Sequence, residues 1–437
     1  MDQLPKTPIE VFRVSPELLQ IVAKAKRFGW WDLPLEDAAT DWAERSGNDR
    51  EYWYYKSTHP IIRTTQNVSD ALFLNDKSVV RLPVGFERKA SITVGAAGDL
   101  IQASGLENSR DLLFEHIEDI LLDADVSFAN YESVVADDET VKNAIGDGRS
   151  SMMCCNYSQY SALTEHIGKR FSVLNAANNH SIDLGIEGLQ TTQALMAKDG
   201  ILDIGIPRNL SQYGKGKVLV KNGIKLGFVS ATFGLNDLEL PKGSEHRVHA
   251  SKLMSRFAPP DLELLRSQIE DCKKQGCDFI VASLHWGYEF EFFPRYKQIE
   301  AAHTLVEEGV DLILGHHPHV IQPVEYFRPQ RDPGRLAVIA YSLGSLTWDW
   351  YTAPHLILSM VLNMRLAKGL MDGENRTYIE SIDPVPVFRS IFRRDDNPVM
   401  RIEKLGESLK RAENTNASLM QMKKYVDLCF GESLLST

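Results

Sequence analysis

Short apolar runs alternating with stretches of helical period fill the middle of the chain. The run at 92–97 predicts a buried strand, a helix follows near 109–122, and 126–129 predicts the next strand. A polar loop and a helix near 157–169 lead to a strand at 171–174 and a helix from about 185 to 199. Val218-Leu219-Val220 and Ile224 to Val229 flank Asn222-Gly223, the dipeptide that favours a tight hairpin. Beyond it come a helix near 260–275, a strand at 279–284 and a helix near 296–309. Runs at 312–314, 336–342 and 356–362 predict further strands. Such alternation with an interspersed hairpin predicts an α/β fold built on a mixed or two-layered sheet.

The flanks read differently. Ser15 is a helix cap with Pro16 at the first helical position, and Leu18, Leu19, Ile21, Val22 and Ala25 recur with helical period. Trp30, Trp31, Trp42, Tyr52, Trp53, Tyr54 and Tyr55 crowd the stretch that follows. They predict either a face for sugars or bases, or aromatics packing this extension onto the main body. From about 366 the chain turns polar and charged, with surface helices expected near 402–413 and 415–430. The expected division is thus an aromatic-rich, helical N-terminal extension (1–90), a core (91–365) and a partly helical C-terminal extension (366–437).

Composition narrows the class without choosing a function. At 437 residues, 43% hydrophobic and 24% charged, the chain is long and apolar enough for a large core, which excludes wholesale disorder. A formal charge of −11 argues against nucleic acid and anionic membrane as partners. No window approaches the roughly 20 apolar residues of a membrane span. The start lacks a basic region followed by an apolar one, so no signal peptide is expected. The five cysteines are odd in number and without Cys-x-x-Cys spacing, which predicts reduced thiols and a cytoplasmic protein.

Chemistry enters at the ends of the predicted strands. Gly98-Asp99, Asn130-Tyr131-Glu132, Asn178-Asn179-His180, His285-Trp286-Gly287 and Gly315-His316-His317-Pro318-His319 each follow one. Ligands of α/β sheets bind outside the carboxyl ends of strands, so these groups are expected on one rim. Carboxylate, imidazole and amide oxygen without thiolate suit Mn, Fe or Zn in a hydrolytic site of one or two divalent ions.

Taken in order, GD, NYE, NAANNHSIDLG, SLHWGYE, GHHPHVIQPVE and YSLGS resemble the poly-γ-glutamate capsule synthesis protein CapA family. That family is similar to the calcineurin-like metallophosphoesterases, and the resemblance covers roughly residues 91–365. It implies a metallophosphoesterase-like, two-layered mixed β-sheet core flanked by helices. It also implies roles: Asp99 in the first metal site, Glu132 bridging, Asn179, His285 and His317 on the second metal, and His319 on the first. His180 would protonate the leaving group or stabilise developing charge, with Asp183 orienting its ring. Three positions depart from the pattern. Ile101 stands where a histidine usually follows the first aspartate, the loop at 100–104 lacks its usual arginine, and Ser345 replaces an asparagine.

The expected activity is metal-dependent hydrolysis of an amide, γ-glutamyl or related, in a small acidic or peptide-like substrate. Phosphoester hydrolysis and a non-catalytic part in polymer synthesis are the alternatives. Loss of the histidine and arginine, and the acids Glu289, Glu291 and Asp349, tilt the expectation away from phosphate. Arg295 and Lys297 are candidates for holding a substrate carboxylate.

Overall fold

The chain enters one β-sheet, leaves it to build a second, and returns to complete the first. The computed structural model describes residues 4–73, 79–146, 151–413 and 415–435. In chain order β1 (Glu87–Leu100), β2 (Val126–Tyr131), β3 (Val173–Asn175) and β4 (Leu202–Ile204) run parallel in the first sheet. The second sheet takes β5 (Lys217–Lys221), β6 (Ile224–Thr232), β7 (Phe279–His285), β8 (Leu312–His316), β9 (Val324–Phe327) and β10 (Ala337–Ala340). The chain then returns as β11 (Ser345–Thr347), parallel to the end of β1, and as the antiparallel run β12 (Leu358–Met371), β13 (Glu374–Arg394) and β14 (Asn397–Lys404). The fold is therefore mixed α/β, a large mixed sheet with helices around it, consistent with a metallophosphoesterase-like fold.

Strand periodicity decides which residues meet between the sheets. Val126 and Phe128 of β2 join the main core, while Ala129 and Tyr131 join a second cluster on the other face. Phe128 stacks on Phe228 of β6, with ring centroids 6.4 Å apart. At the hairpin between β5 and β6, Asn222 and Gly223 both take positive φ (49° and 76°), as a primed turn requires.

Two glycines let the site-bearing strand ends approach other backbone. A Cβ on Gly98 would lie 1.8 Å from the Gly344 carbonyl oxygen, and one on Gly315 would lie 1.9 Å from that of Tyr341. Both precede residues of the strand-end clusters, so Asp99 and His316 are seated where no side chain fits just before them.

Several expected elements differ. No helix spans 109–122; turns and two short 3-10 segments occupy it instead. Leu113, Phe114, Ile117 and Leu121 are fully buried there. The Leu113 carbonyl accepts from the Ile402 amide of β14 rather than closing a helical turn, so tertiary pairing overrides the local pattern. The helix expected to 169 spans Tyr157–Thr164, and a two-residue hairpin, Glu165–His166 with Lys169–Arg170, follows.

The largest correction lies at 366 and beyond, where the polar stretch is sheet. The boundary expected near 365 falls inside β12. The 21-residue β13 contains Pro384 and Pro386, although proline cannot donate to a ladder. Both stand outside the part of β13 that β14 covers, Val387–Arg394, so their missing amides face an unpaired edge. The helices expected near 402–413 and 415–430 span Leu405–Arg411 and Ala417–Phe430, and the second buries Leu419, Met422, Val426 and Cys429.

The N-terminal segment packs onto the core. Ser15 caps α1 (Pro16–Phe28) by accepting from the Leu18 amide. The aromatics after it divide: Trp31 packs at 5.6 Å from Tyr52 and 5.3 Å from Tyr55 of α2 (Gly47–Thr58), while Trp30 and Trp42 stay exposed. Ile61 then exchanges backbone hydrogen bonds with Phe290 and Phe292, each 2.9 Å. All five cysteines are free, and among the described residues no helix is long and apolar enough to cross a membrane.

Candidate metal centre

The strand ends converge as the rim argument requires. Asp99 closes β1, Glu132 follows β2, Asn179 and His180 follow β3, His285 closes β7, and His317 and His319 follow β8. Asp99, Glu132 and His285 are wholly buried, and none of the others exceeds 8% exposure. His285 Nε2 lies 2.8 Å from Asn179 Oδ1 and 3.6 Å from Glu132 Oε1. The rings of His285 and His317 are 5.0 Å apart, and those of His317 and His319 are 5.8 Å apart.

Two triads could each hold an ion, Asp99 with Glu132 and His285, and Glu132 with His317 and His319. Glu132 belongs to both. The expected pairs are neighbours as well: His319 Nδ1 lies 3.3 Å from Asp99 Oδ2, and the His285 and His317 rings are 5.0 Å apart.

Electrostatics and satisfaction both fit a cation. Glu132 is pushed well up by burial and then by the charge on Asp99. Burial would raise Asp99 too, but His316 and His319 beside it outweigh that and hold it down. Burial, reinforced by neighbouring histidines, pushes His285 and His317 down, so both are neutral near pH 7, the form that ligates. Among the described residues, Asp99 Oδ2, Glu132 Oε1 and His317 Nδ1 are buried without a hydrogen bond, although His319 Nδ1 lies 3.3 Å from Asp99 Oδ2. Such orphans cost about 1–3 kcal/mol each unless something binds them. Oxygen and imidazole donors without thiolate suit a divalent first-row metal, so the residues present fit one.

Backbone strain marks the same place. His317 has φ 94° and His319 φ 57°, conformations that L residues avoid and that cost on the order of 1–3 kcal/mol. Pro318 between them stiffens the loop.

Around the triads stand groups to which the sequence had assigned no metal-site role. His316 Nδ1 sits 3.3 Å from Asp99 Oδ1, so an imidazole from β8 meets this aspartate, while Ile101 is buried in the main core. Asn130 Nδ2 donates to Asp99 Oδ1 at 2.9 Å, and its own Oδ1 accepts from Asn175 at 2.8 Å. Ser345, standing for the family's asparagine, places Oγ 2.9 Å from His319 Nδ1 and gives its carbonyl to the buried Arg389 of β13 at 2.8 Å. Position in the HHPH and NYE strings hinted at His316 and Asn130; nothing local hinted at Arg389.

The N-terminal segment also reaches the site. Thr40 Oγ1 lies 3.0 Å from His317 Nε2, and Arg45 pairs with Glu289 at 2.7 Å. Arg45 brings to this wall the cation that the 100–104 loop lacks, close enough to help depress His317. Two of the three acids counted against phosphate are not free charges: Glu289 has Arg45, and Glu291 has Lys56 and Arg295. Arg295 is committed to Glu291, and Lys297 Nζ to the carbonyls of Ser255 and Ala258.

His180 stands beside the triads. Its Nδ1 is 2.7 Å from Asp183 Oδ2, which also accepts the Met153 amide at 2.7 Å, so the ring is held with Nε2 outward. At 8%, His180 and Asp183 are the most exposed of the predicted site residues.

The model of the bacterial capsule synthesis protein family PGA_cap matches residues 93–349, more than half of the chain. The chain belongs to this family. Similar proteins include the PGA biosynthesis protein CapA of Bacillus subtilis (strain 168), 29% identical over 299 residues, which are 68% of each chain. The capsule biosynthesis protein CapA of Bacillus anthracis is 26% identical over 273 residues, 61% of this chain and 62% of that one. A probable polyglutamine synthesis accessory protein of Mycobacterium tuberculosis is 26% identical over 155 residues, 35% of this chain and 40% of its own length. The PGA_cap match contains every residue of the centre from Asp99 to Ser345. Thr40, Arg45, Tyr52 and Lys56 lie before it, and Arg389 after it.

Proposed function

We propose that this protein is a metal-dependent hydrolase of an amide bond, γ-glutamyl or a related peptide linkage, serving poly-γ-glutamate synthesis. The observation that carries the reading is the His180–Asp183 pair beside buried, unpartnered acid and imidazole atoms. A scaffold has no use for an oriented imidazole there. The printed names of the relatives, PGA biosynthesis and capsule biosynthesis, supply the polymer.

Asp99, Glu132, Asn179, His285, His317 and His319 would hold one or two divalent ions, Mn, Fe or Zn. Such an ion supplies a Lewis acid for the scissile carbonyl and lowers the pKa of a water. The chain does the rest. Asp183 accepts from His180 Nδ1 and stabilises the protonated ring, and Nε2 delivers its proton to the departing amine. Arg45 Nη1, which the bonds to Glu289 and to the Thr40 carbonyl do not use, suits the α-carboxylate of a γ-glutamyl group.

Arg45 equally suits a phosphoryl oxygen, which makes phosphoester hydrolysis the second reading. Metal-loaded protein is given γ-linked glutamyl peptides, p-nitrophenyl phosphate and a bis-ester at equal concentration. Turnover of the peptides is expected. Turnover of esters alone reverses the order, and turnover of neither leaves a non-catalytic role in polymer synthesis.

A further inference from the structure

The contact between Thr40 and His317 joins residues 277 apart in sequence and is buried on both sides. Thr40 is 2% exposed and lies outside the family-matched span. Its place is held from every direction. The Ala39 amide donates to Asp49 Oδ1 at 2.8 Å, Tyr288 donates to the Ala38 carbonyl at 3.2 Å, and Arg45 Nε donates to the Thr40 carbonyl at 3.1 Å. Those anchors are themselves tied down, Asp49 by Arg256 and Ser46, Arg45 by Glu289. A hydroxyl fixed this firmly presents one atom at one position.

On the other side, His317 has two ring nitrogens with different surroundings. Nε2 faces Thr40, and Nδ1 is buried with no hydrogen-bond partner among the described residues. A proton on Nδ1 would be a buried donor without an acceptor, whereas a lone pair there is what a cation needs. Metal-bound histidines generally give their other N–H to a fixed acceptor, which sets tautomer and ring orientation.

We propose that Thr40 is a positioning residue: its hydroxyl accepts the Nε2 proton of His317 and so turns the Nδ1 lone pair toward the triad with Glu132 and His319. The N-terminal segment is thereby part of the centre and not only a packed extension. This rests on the reading that the triads hold metal, but the tautomer itself is open to test without any ion.

Full-length protein is labelled with ¹⁵N-histidine, and the ring nitrogens are read in the metal-free state. Wild type is expected to show His317, assigned by its absence in His317→Ala, as the Nε2–H tautomer. The Nδ1–H tautomer there overturns the proposal whatever the protein does with metal. Zinc or manganese affinity is then measured by chelator competition, with thermal melting of the metal-free proteins alongside. Thr40→Val, which keeps shape and loses the hydroxyl, is expected to weaken the affinity about 10–100-fold with a near-normal melt. Thr40→Ser is expected to restore most of it. Unchanged affinity in Thr40→Val, or an equal loss in Thr40→Ser, overturns the proposal, the second by pointing to packing alone. Wild-type protein that takes up no metal defeats the metal reading, while the tautomer spectrum still decides the role of Thr40.

Discussion

Two histidines of the site differ in what their loss does. His317 belongs to one of the triads, so His317→Ala is expected to cut metal content measured on purified protein. His180 is turned by Asp183 and has Nε2 outward, so His180→Ala is expected to keep metal and fold while turnover falls about 10²–10⁴-fold. Equal loss of metal in both variants assigns His180 to the ligands. The acids, Asn179 and the imidazoles were legible in the sequence because each sits at a strand end with a chemistry-bearing side chain. Thr40 and Arg389 were not. Threonine and arginine are ordinary surface residues by type, and only contacts across tens to hundreds of residues give these two a place. Glu291 and Arg295 were legible as charges but misread, since their partners come from α2 and from each other.

That ion-paired group governs how α2 docks. Tyr52 and Lys56 of α2 reach Glu291 Oε1 at 3.1 and 3.0 Å, and Arg295 grips both its oxygens at 2.9 and 3.0 Å. Burial would raise this carboxyl, yet Arg295 and Lys56 outweigh it and hold it at about 2, below its ordinary 4.5. A depressed acid contributes stability that is complete above the unfolded value and disappears as pH falls toward the folded one. The loss is therefore expected between about pH 4.5 and 2, on the order of 3 kcal/mol. Tryptophan fluorescence should report it through Trp31, packed against Tyr52 and Tyr55. Glu291→Gln leaves Lys56 and Arg295 buried with no carboxylate, so it should cost about 3–5 kcal/mol at neutral pH and flatten the acid transition. An unchanged transition in that variant assigns the acid loss to other carboxylates.

Across the whole molecule, the alternation of apolar runs and helical stretches was enough to name the fold class, because β1–β4 and β6–β8 with their helices carry that pattern openly. The C-terminal strands were hidden, since half-exposed strands with charges on one face and two prolines look like surface chain. They are nonetheless part of the sheet that carries Asp99. A chain cut after residue 365 loses the end of β12 and all of β13 and β14, and with β13 the Arg389 that supports Ser345. Circular dichroism and limited proteolysis should find it without a cooperative melt; a cooperative melt near the full-length one makes 366–437 dispensable to the core. The pairing of β1 carries one more consequence. One edge of β1 meets β2 soon after it in the chain, but the other waits for β12, where Ile92 pairs with Leu366. On a ribosome adding about 5–20 residues per second, that second edge stays open on the order of tens of seconds. The charged start of β1, Glu87-Arg88-Lys89, stands guard over the outer part of it during that interval. Asp99 lies at the far end of the same strand, so its final seat beside Ser345 forms only once most of the chain has been made.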